Sequence, residues 1–206
     1  MTTTEHPQQA IPGFRSHMTE EEFERWVLAE EVRAEWVEGE VVLMSPANYH
    51  HTDIFEWLLV LMKLHAAKHQ LGEVHGSEFM NRLKGRRRVP DLFFVAKGRE
   101  SLFTRTYFNG PADLIVEVVS PDSQSRDRRE KYLEYEANGV REYWIIDPLS
   151  QQAEFYLLRD GKYVAMEVNQ GVIRSLTLPG FWLQVDWLWQ RPLPNPLETA
   201  KKLGII

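Results

Sequence analysis

Two carboxylates stand where an acid is costly. Glu117 lies at the centre of the apolar run "ADLIVEVVS", and Asp91 follows Pro90 at the head of "DLFFVA", 26 residues upstream. Alternate side chains of a strand share a face, so Ile115, Glu117 and Val119 point one way and Leu114, Val116 and Val118 the other. A run this continuously apolar belongs to a strand covered on both faces, which buries Glu117. A buried carboxylate needs a proton, a cation or a metal. If Asp91 heads a neighbouring strand and the two carboxylates lie ~4 Å apart, they repel by roughly 4 kcal/mol at an effective dielectric of ~20. A shared divalent ion with oxygen ligands relieves this; Mg²⁺ is the usual one in phosphate chemistry, and Mn²⁺ suits the same donors. The plainer alternative pairs Glu117 with an arginine and leaves Asp91 shaping a turn.

Other residues bear on the same spot. Arg86, Arg87 and Arg88 precede Pro90–Asp91 in the basic turn "KGRRR", where they would either hold phosphates beside the carboxylates or simply be solvated. Glu35 alternates with Val37 on a short strand, which turns it inward. The chain as a whole carries a net charge of -6, which argues against a generally basic nucleic-acid-coating surface. Yet residues 82–131 hold 12 Lys+Arg against 7 Asp+Glu, a local excess of +5, leaving -11 on the rest. Other chemistries lack their signatures. His65 and His69 have zinc-protease spacing, but Ala66 stands where the glutamate belongs. Ser45 and Ser120 lack a nucleophile-elbow setting, and no glycine-rich phosphate loop precedes a helix. Trp182, Trp187 and Trp189 read as core or subunit interface rather than a base-stacking platform. With no cysteine there are no disulfides or thiolate metal sites, and no apolar run approaches membrane-spanning length. These features, with an N-terminus unlike a signal peptide, lead us to expect a cytoplasmic protein without membrane partners.

The elements that must position these groups follow from periodicity. Residues 1–18 read as a flexible tail, and 19–206 as a single domain with its core at about 48–148. Thr19 and Glu22 form a capping-box pattern ahead of a short amphipathic helix, Thr19–Ala29. "AEWVEGEVVLMS" reads as a hairpin about Glu38–Gly39. The longest helix spans Asn48 to Gln70, with Ile54, Leu58 and Leu61 on one face. Three strands follow, "EVHGSEFMNRL", "PDLFFVA" and "ADLIVEVVS". A helix capped by Asp122 or Ser123 then runs to Asn138–Gly139, and the strand "REYWIIDP" comes after it. A second hairpin turns at Asp160–Gly161, and "SLTLPGFWLQVDWLWQ" adds further β structure. The expected fold is α/β: a mixed central β-sheet flanked by helices, with an N-terminal hairpin and a C-terminal β extension.

Taken together, "VPDLFFVA" and the later "EVV" resemble the two halves of the PD-(D/E)xK nuclease motif. More narrowly, "PADLIVEVVSPDSQSRDRREKYLEYEANGVREYWIIDP" resembles the Uma-type restriction endonucleases of bacteria. "AEWVEGEVVLMSPANYHH" is similar to that family's N-terminal segment, with Glu35 and His51 in matching places. The resemblance runs from about Thr19 to Trp187. It implies a restriction-endonuclease-like fold and a Mg²⁺-dependent endonuclease acting on nucleic acid, with DNA the expected substrate. It further implies Asp91 and Glu117 as metal ligands, Glu35 as a further catalytic residue, and His51 near the nucleic acid or capping its helix. Where the superfamily pattern asks for lysine, two residues after the glutamate, this chain has Val119. In the Uma-type family the lysine sits on the following helix, and Lys131 of "RDRREKYLEY" occupies that place. The alternative is an ordinary helix-surface pair of Lys131 with Asp127. One such site cuts one strand, so duplex cleavage invites a homodimer. A non-enzymatic nucleic-acid-binding or assembly module with the same fold is the competing reading.

Overall fold

The computed structural model describes residues 11–44, 48–120 and 126–206, with residues 126 and 127 described by backbone only. Helix α1 (Glu20–Glu30) starts as its capping box predicts: Thr19 Oγ1 accepts from the Glu22 N–H, and the Glu22 carboxylate accepts from the Thr19 N–H. Strands β1 (Ala34–Val37) and β2 (Glu40–Leu43) form the expected hairpin. Its two-residue turn places Glu38 and Gly39 at positive φ, the arrangement whose twist suits a hairpin. Within the stretch expected as a flexible tail, Pro12 and Phe14 meet Trp26 of α1 and residues 16–18 lie against this hairpin. The Met18 N–H bonds Gly39 O, Val41 bonds Ser16 O, and the Met18 side chain is buried, so the segment covers the edge of β2. Residues 1–10 lie outside the described residues.

Helix α2 (Tyr49–Lys68), capped by Asn48, buries Ile54, Leu58, Leu61 and Met62. The predicted strand "EVHGSEFMNRL" is two: β3 (Gly72–Gly76) and β4 (Met80–Leu83), which lie in different sheets. The predicted basic turn is also divided. Lys84 and Gly85 make the turn, and Arg86–Arg88 forms strand β5, paired with both β4 and β1. Strands β6 (Leu92–Ala96), β7 (Tyr107–Asn109) and β8 (Leu114–Val118) follow. The two helix-cap candidates, Asp122 and Ser123, lie outside the described residues. A π-helical turn (Arg126–Lys131) runs directly into α3 (Tyr132–Asn138), which ends at Gly139 as read. Strand β9 (Glu142–Asp147) is parallel to β8; β10 (Gln152–Arg159) and β11 (Lys162–Ala165) make the second expected hairpin. Strands β12 (Val172–Arg174) and β13 (Trp182–Gln184) pair with each other, and α4 (Pro196–Lys202) closes the chain.

The central sheet has the order β11-β10-β9-β8-β6-β3, and a five-stranded sheet has the order β2-β1-β5-β4-β7. The central sheet therefore continues past the expected core limit of residue 148 into the second hairpin. Its two faces divide as strand alternation requires. Leu114, Val116 and Val118 join α2 and the C-terminal segment in the larger core. Ile115 and Val119 join Tyr135, Tyr143 and Ile145 in a second core, on the face that carries Glu117. The three tryptophans set aside earlier pack against the larger core, as expected. Among the described residues, no helix is long and apolar enough to cross a membrane.

Candidate active site

Strands β6 and β8 are antiparallel, with Leu92 opposite Val116 and Phe93 opposite Ile115. One step further along this register, Asp91 falls opposite Glu117, and directly opposed Cβ atoms in such a ladder are ~5 Å apart. Both acids are buried. Asp91 Oδ2 accepts the Val118 N–H at 2.7 Å, and Asp91 Oδ1 lies 3.1 Å from His51 Nε2. The first turn of α2 thus brings His51 to the site. Glu117, 3% exposed, accepts on Oε1 from Lys131 Nζ at 2.9 Å and from the Tyr135 hydroxyl at 2.8 Å. Lys131 and Tyr135 are four residues apart at the junction of the π turn and α3, so they come down on one side of Glu117. Burial, and then the neighbouring charges of Glu117 and Glu35, push the Tyr135 hydroxyl well above its usual pKa, so it stays a donor.

Behind this group lies a ring of ion pairs. Glu35 on β1 accepts the Val89 N–H at 3.0 Å and Arg88 Nη1 at 2.7 Å, and its Oε1 is 3.8 Å from Lys131 Nζ. Burial would raise the Glu35 pKa, but the charges of Lys131 and Arg88 and the Val89 hydrogen bond outweigh it and hold it at about 2. Arg88, 1% exposed, donates its other edge to Glu134 on α3 in two bonds of 2.9 and 2.8 Å. Burial works against the Arg88 charge, yet Glu35, Tyr135 and Glu134 overcome this and raise its pKa. Glu35 therefore lies between Arg88, which it bonds, and Lys131, 3.8 Å away.

The structure brings Asp91, Glu117, Lys131, Glu35 and His51 together. It corrects the setting of the three arginines, because strand pairing turns two of them into the protein. Arg87 is buried against Glu20 and Glu24, Arg88 against Glu35 and Glu134, and Arg86 reaches Glu38 and Glu134. Guanidinium groups committed to carboxylates in this way do not form an open phosphate-holding turn. The side chain of Asp127, the alternative partner of Lys131, lies outside those described. Two members of the site were not read from the sequence, Glu134 and Tyr135. Their signal was present in "KYLEY", three and four residues beyond Lys131, the spacing of one helix face.

Among the described residues no group of three or more His, Cys, Asp or Glu side chains is arranged to hold a metal. The donor set that remains, Asp91 and Glu117, consists of carboxylate oxygens. This is the chemistry Mg²⁺ takes when it binds through one or two carboxylates and completes its shell with water and substrate phosphate. The residues therefore fit such an ion, with Lys131 as the adjacent cation.

A mixed α/β architecture with helices flanking its sheets is shared with a crystal structure described as a putative nuclease belonging to DUF820 from Anabaena variabilis. That structure is 18% identical, with a TM-score of 0.66, and the match covers 77% of this chain and 90% of that one. Residues 20–186 match the model of the Uma2 family, described as putative restriction endonuclease, and the chain belongs to that family. No curated protein matches the chain.

Proposed function

We propose that the protein is a Mg²⁺-dependent endonuclease hydrolysing phosphodiester bonds of nucleic acid, with DNA as its substrate. The observation that carries this reading is the convergence of Lys131 on Glu117, beside Asp91, in one buried cluster. Asp91 and Glu117 would hold the metal, with Asp91 fixed by the Val118 N–H and His51. A bound Mg²⁺ supplies an acidified water and a clamp on the scissile phosphate. The chain's own part is positioning and charge. Tyr135 fixes one oxygen of Glu117, while Glu35 lies 3.8 Å from Lys131 Nζ and holds it close. Lys131 then orients the attacking water or offsets the charge that grows on the phosphate. Membership of the Uma2 family supports the same class of reaction. Cutting both strands of a duplex takes two such sites, which a homodimer would provide.

The acidic net charge favours a second reading, a nucleic-acid-binding or assembly module without catalysis. Nicking of plasmid DNA with Mg²⁺ or Mn²⁺, compared with EDTA, separates the two. The wild type is expected to nick only with metal, and Lys131→Ala to lose at least a hundredfold in rate while Mn²⁺ and DNA affinity stay within about twofold. Wild-type cleavage by Lys131→Ala would remove the lysine assignment. A wild type inert on every DNA and RNA tried would favour the module.

A further inference from the structure

The ion-paired arginines of β5 leave open which surface meets the nucleic acid, and the first residues of α2, just ahead of His51, supply an answer. Tyr49, the first residue of α2, is 74% exposed, the highest value among the large apolar and aromatic side chains described. Its ring meets that of His50 edge-on at 5.5 Å. His50 in turn accepts at Nδ1 from Arg191 Nε at 3.1 Å. Arg191 is exposed and has no carboxylate partner among the described residues. Its Nη1 donates to the carbonyls of Leu188 at 3.0 Å and Gln190 at 2.6 Å, which fixes the guanidinium. The segment carrying it is tied to α2, because Trp57 Nε1 donates to Pro194 O at 2.8 Å and the Trp57 and Trp187 rings touch. A held cation without a counter-charge beside an exposed ring is the pairing that unpaired nucleotides use, phosphate on the cation and base on the ring. It stands one residue from His51, which reaches Asp91.

We infer that Tyr49, His50 and Arg191 form the surface receiving an unpaired stretch of the substrate strand as it leaves the Asp91–Glu117 site. Arg191 takes a phosphate and Tyr49 stacks on a base. The inference rests on the nuclease reading. It is tested without cleavage, by fluorescence anisotropy of a labelled single-stranded oligonucleotide with the full chain in EDTA across a salt series. Arg191→Gln is expected to lower the slope of log affinity against log salt by about 0.7, one single-strand phosphate contact. Tyr49→Ala is expected to weaken binding by on the order of tenfold with the slope unchanged, and Tyr49→Phe to restore it. Arg86→Gln serves as the comparison and should bind as the wild type does. If Arg191→Gln and Tyr49→Ala both match the wild type in slope and affinity, the inference falls while metal-dependent nicking still stands. If the wild type neither binds nor nicks any nucleic acid, the nuclease reading falls with it.

Discussion

At the scale of single residues, the site is a balance of buried charge in which Glu35 does the steadying. Its carboxyl is held at about 2 against an ordinary value of 4.5. A depressed folded-state pKa means that the group's stabilising contribution is complete above the unfolded value and is lost as pH falls through the folded one. The window is therefore pH 4.5 down to 2, and a shift of this size corresponds to on the order of 3 kcal/mol. Urea denaturation should find Glu35→Gln less stable than the wild type at pH 6 and the gap narrowing steadily toward pH 2. A gap independent of pH would assign the effect to shape rather than charge. Residue types and strand alternation were enough to find Asp91, Glu117 and the inward turn of Glu35. They could not find the Arg88 bonds, because its partners Glu35 and Glu134 lie 53 and 46 residues away. No local spacing encodes a contact at that distance.

At the scale of elements, the lysine depends on the π turn that carries it. Arg128 in that turn reaches Asp147 at the end of β9 at 3.1 Å and Glu154 on β10 at 2.8 Å, and the Tyr156 hydroxyl donates to the same Glu154. Three residues before Lys131, this bridge anchors the turn to the central sheet. Arg128→Ala should cost roughly 1 to 3 kcal/mol, since Asp147 is buried and loses a donor. The nicking rate at saturating DNA should fall about tenfold while KM barely moves. A change in KM alone would place Arg128 on the binding surface instead. Periodicity gave the strand before this turn and the helix end after it. It did not give the π turn, whose widened hydrogen bonding leaves no mark in the apolar pattern. Nor was α4 read, although Asn195 and Pro196 offered a cap and a first helical residue.

At the scale of the whole molecule, part of the +5 window is taken up by pairing within the fold. Arg82, Arg87, Arg88 and Arg128 pair with Glu20, Glu24, Glu35, Glu134, Asp147 and Glu154, all outside residues 82–131. The charge asymmetry of the sequence thus reports internal pairing in part, while Lys84, Lys97, Arg105 and Arg129 remain exposed. Another buried acid ties the C-terminal extension to the central sheet. Glu142, fully buried at the start of β9, accepts from Trp144 Nε1, Ser175 Oγ, Leu176 N, Thr177 N and Thr177 Oγ1. Glu142→Ala strands those donors, so a loss of at least about 3 kcal/mol is expected, read as a lower urea midpoint. Faster amide exchange at Leu176 and Thr177 than at Ile145 would locate the loosening in the extension.

The Arg88 bridge has a consequence for how this arrangement could be passed between proteins. Its three members come from the amino-terminal hairpin, the five-stranded sheet and the helix after β8. A gene fragment encoding only the carboxylate strands and their lysine helix would bring along an arginine stripped of Glu35 and a Lys131 without its second acid. The cluster of Glu35, Arg88, Glu134 and Lys131 is indivisible and would have to travel as one cassette reaching back at least to Glu35.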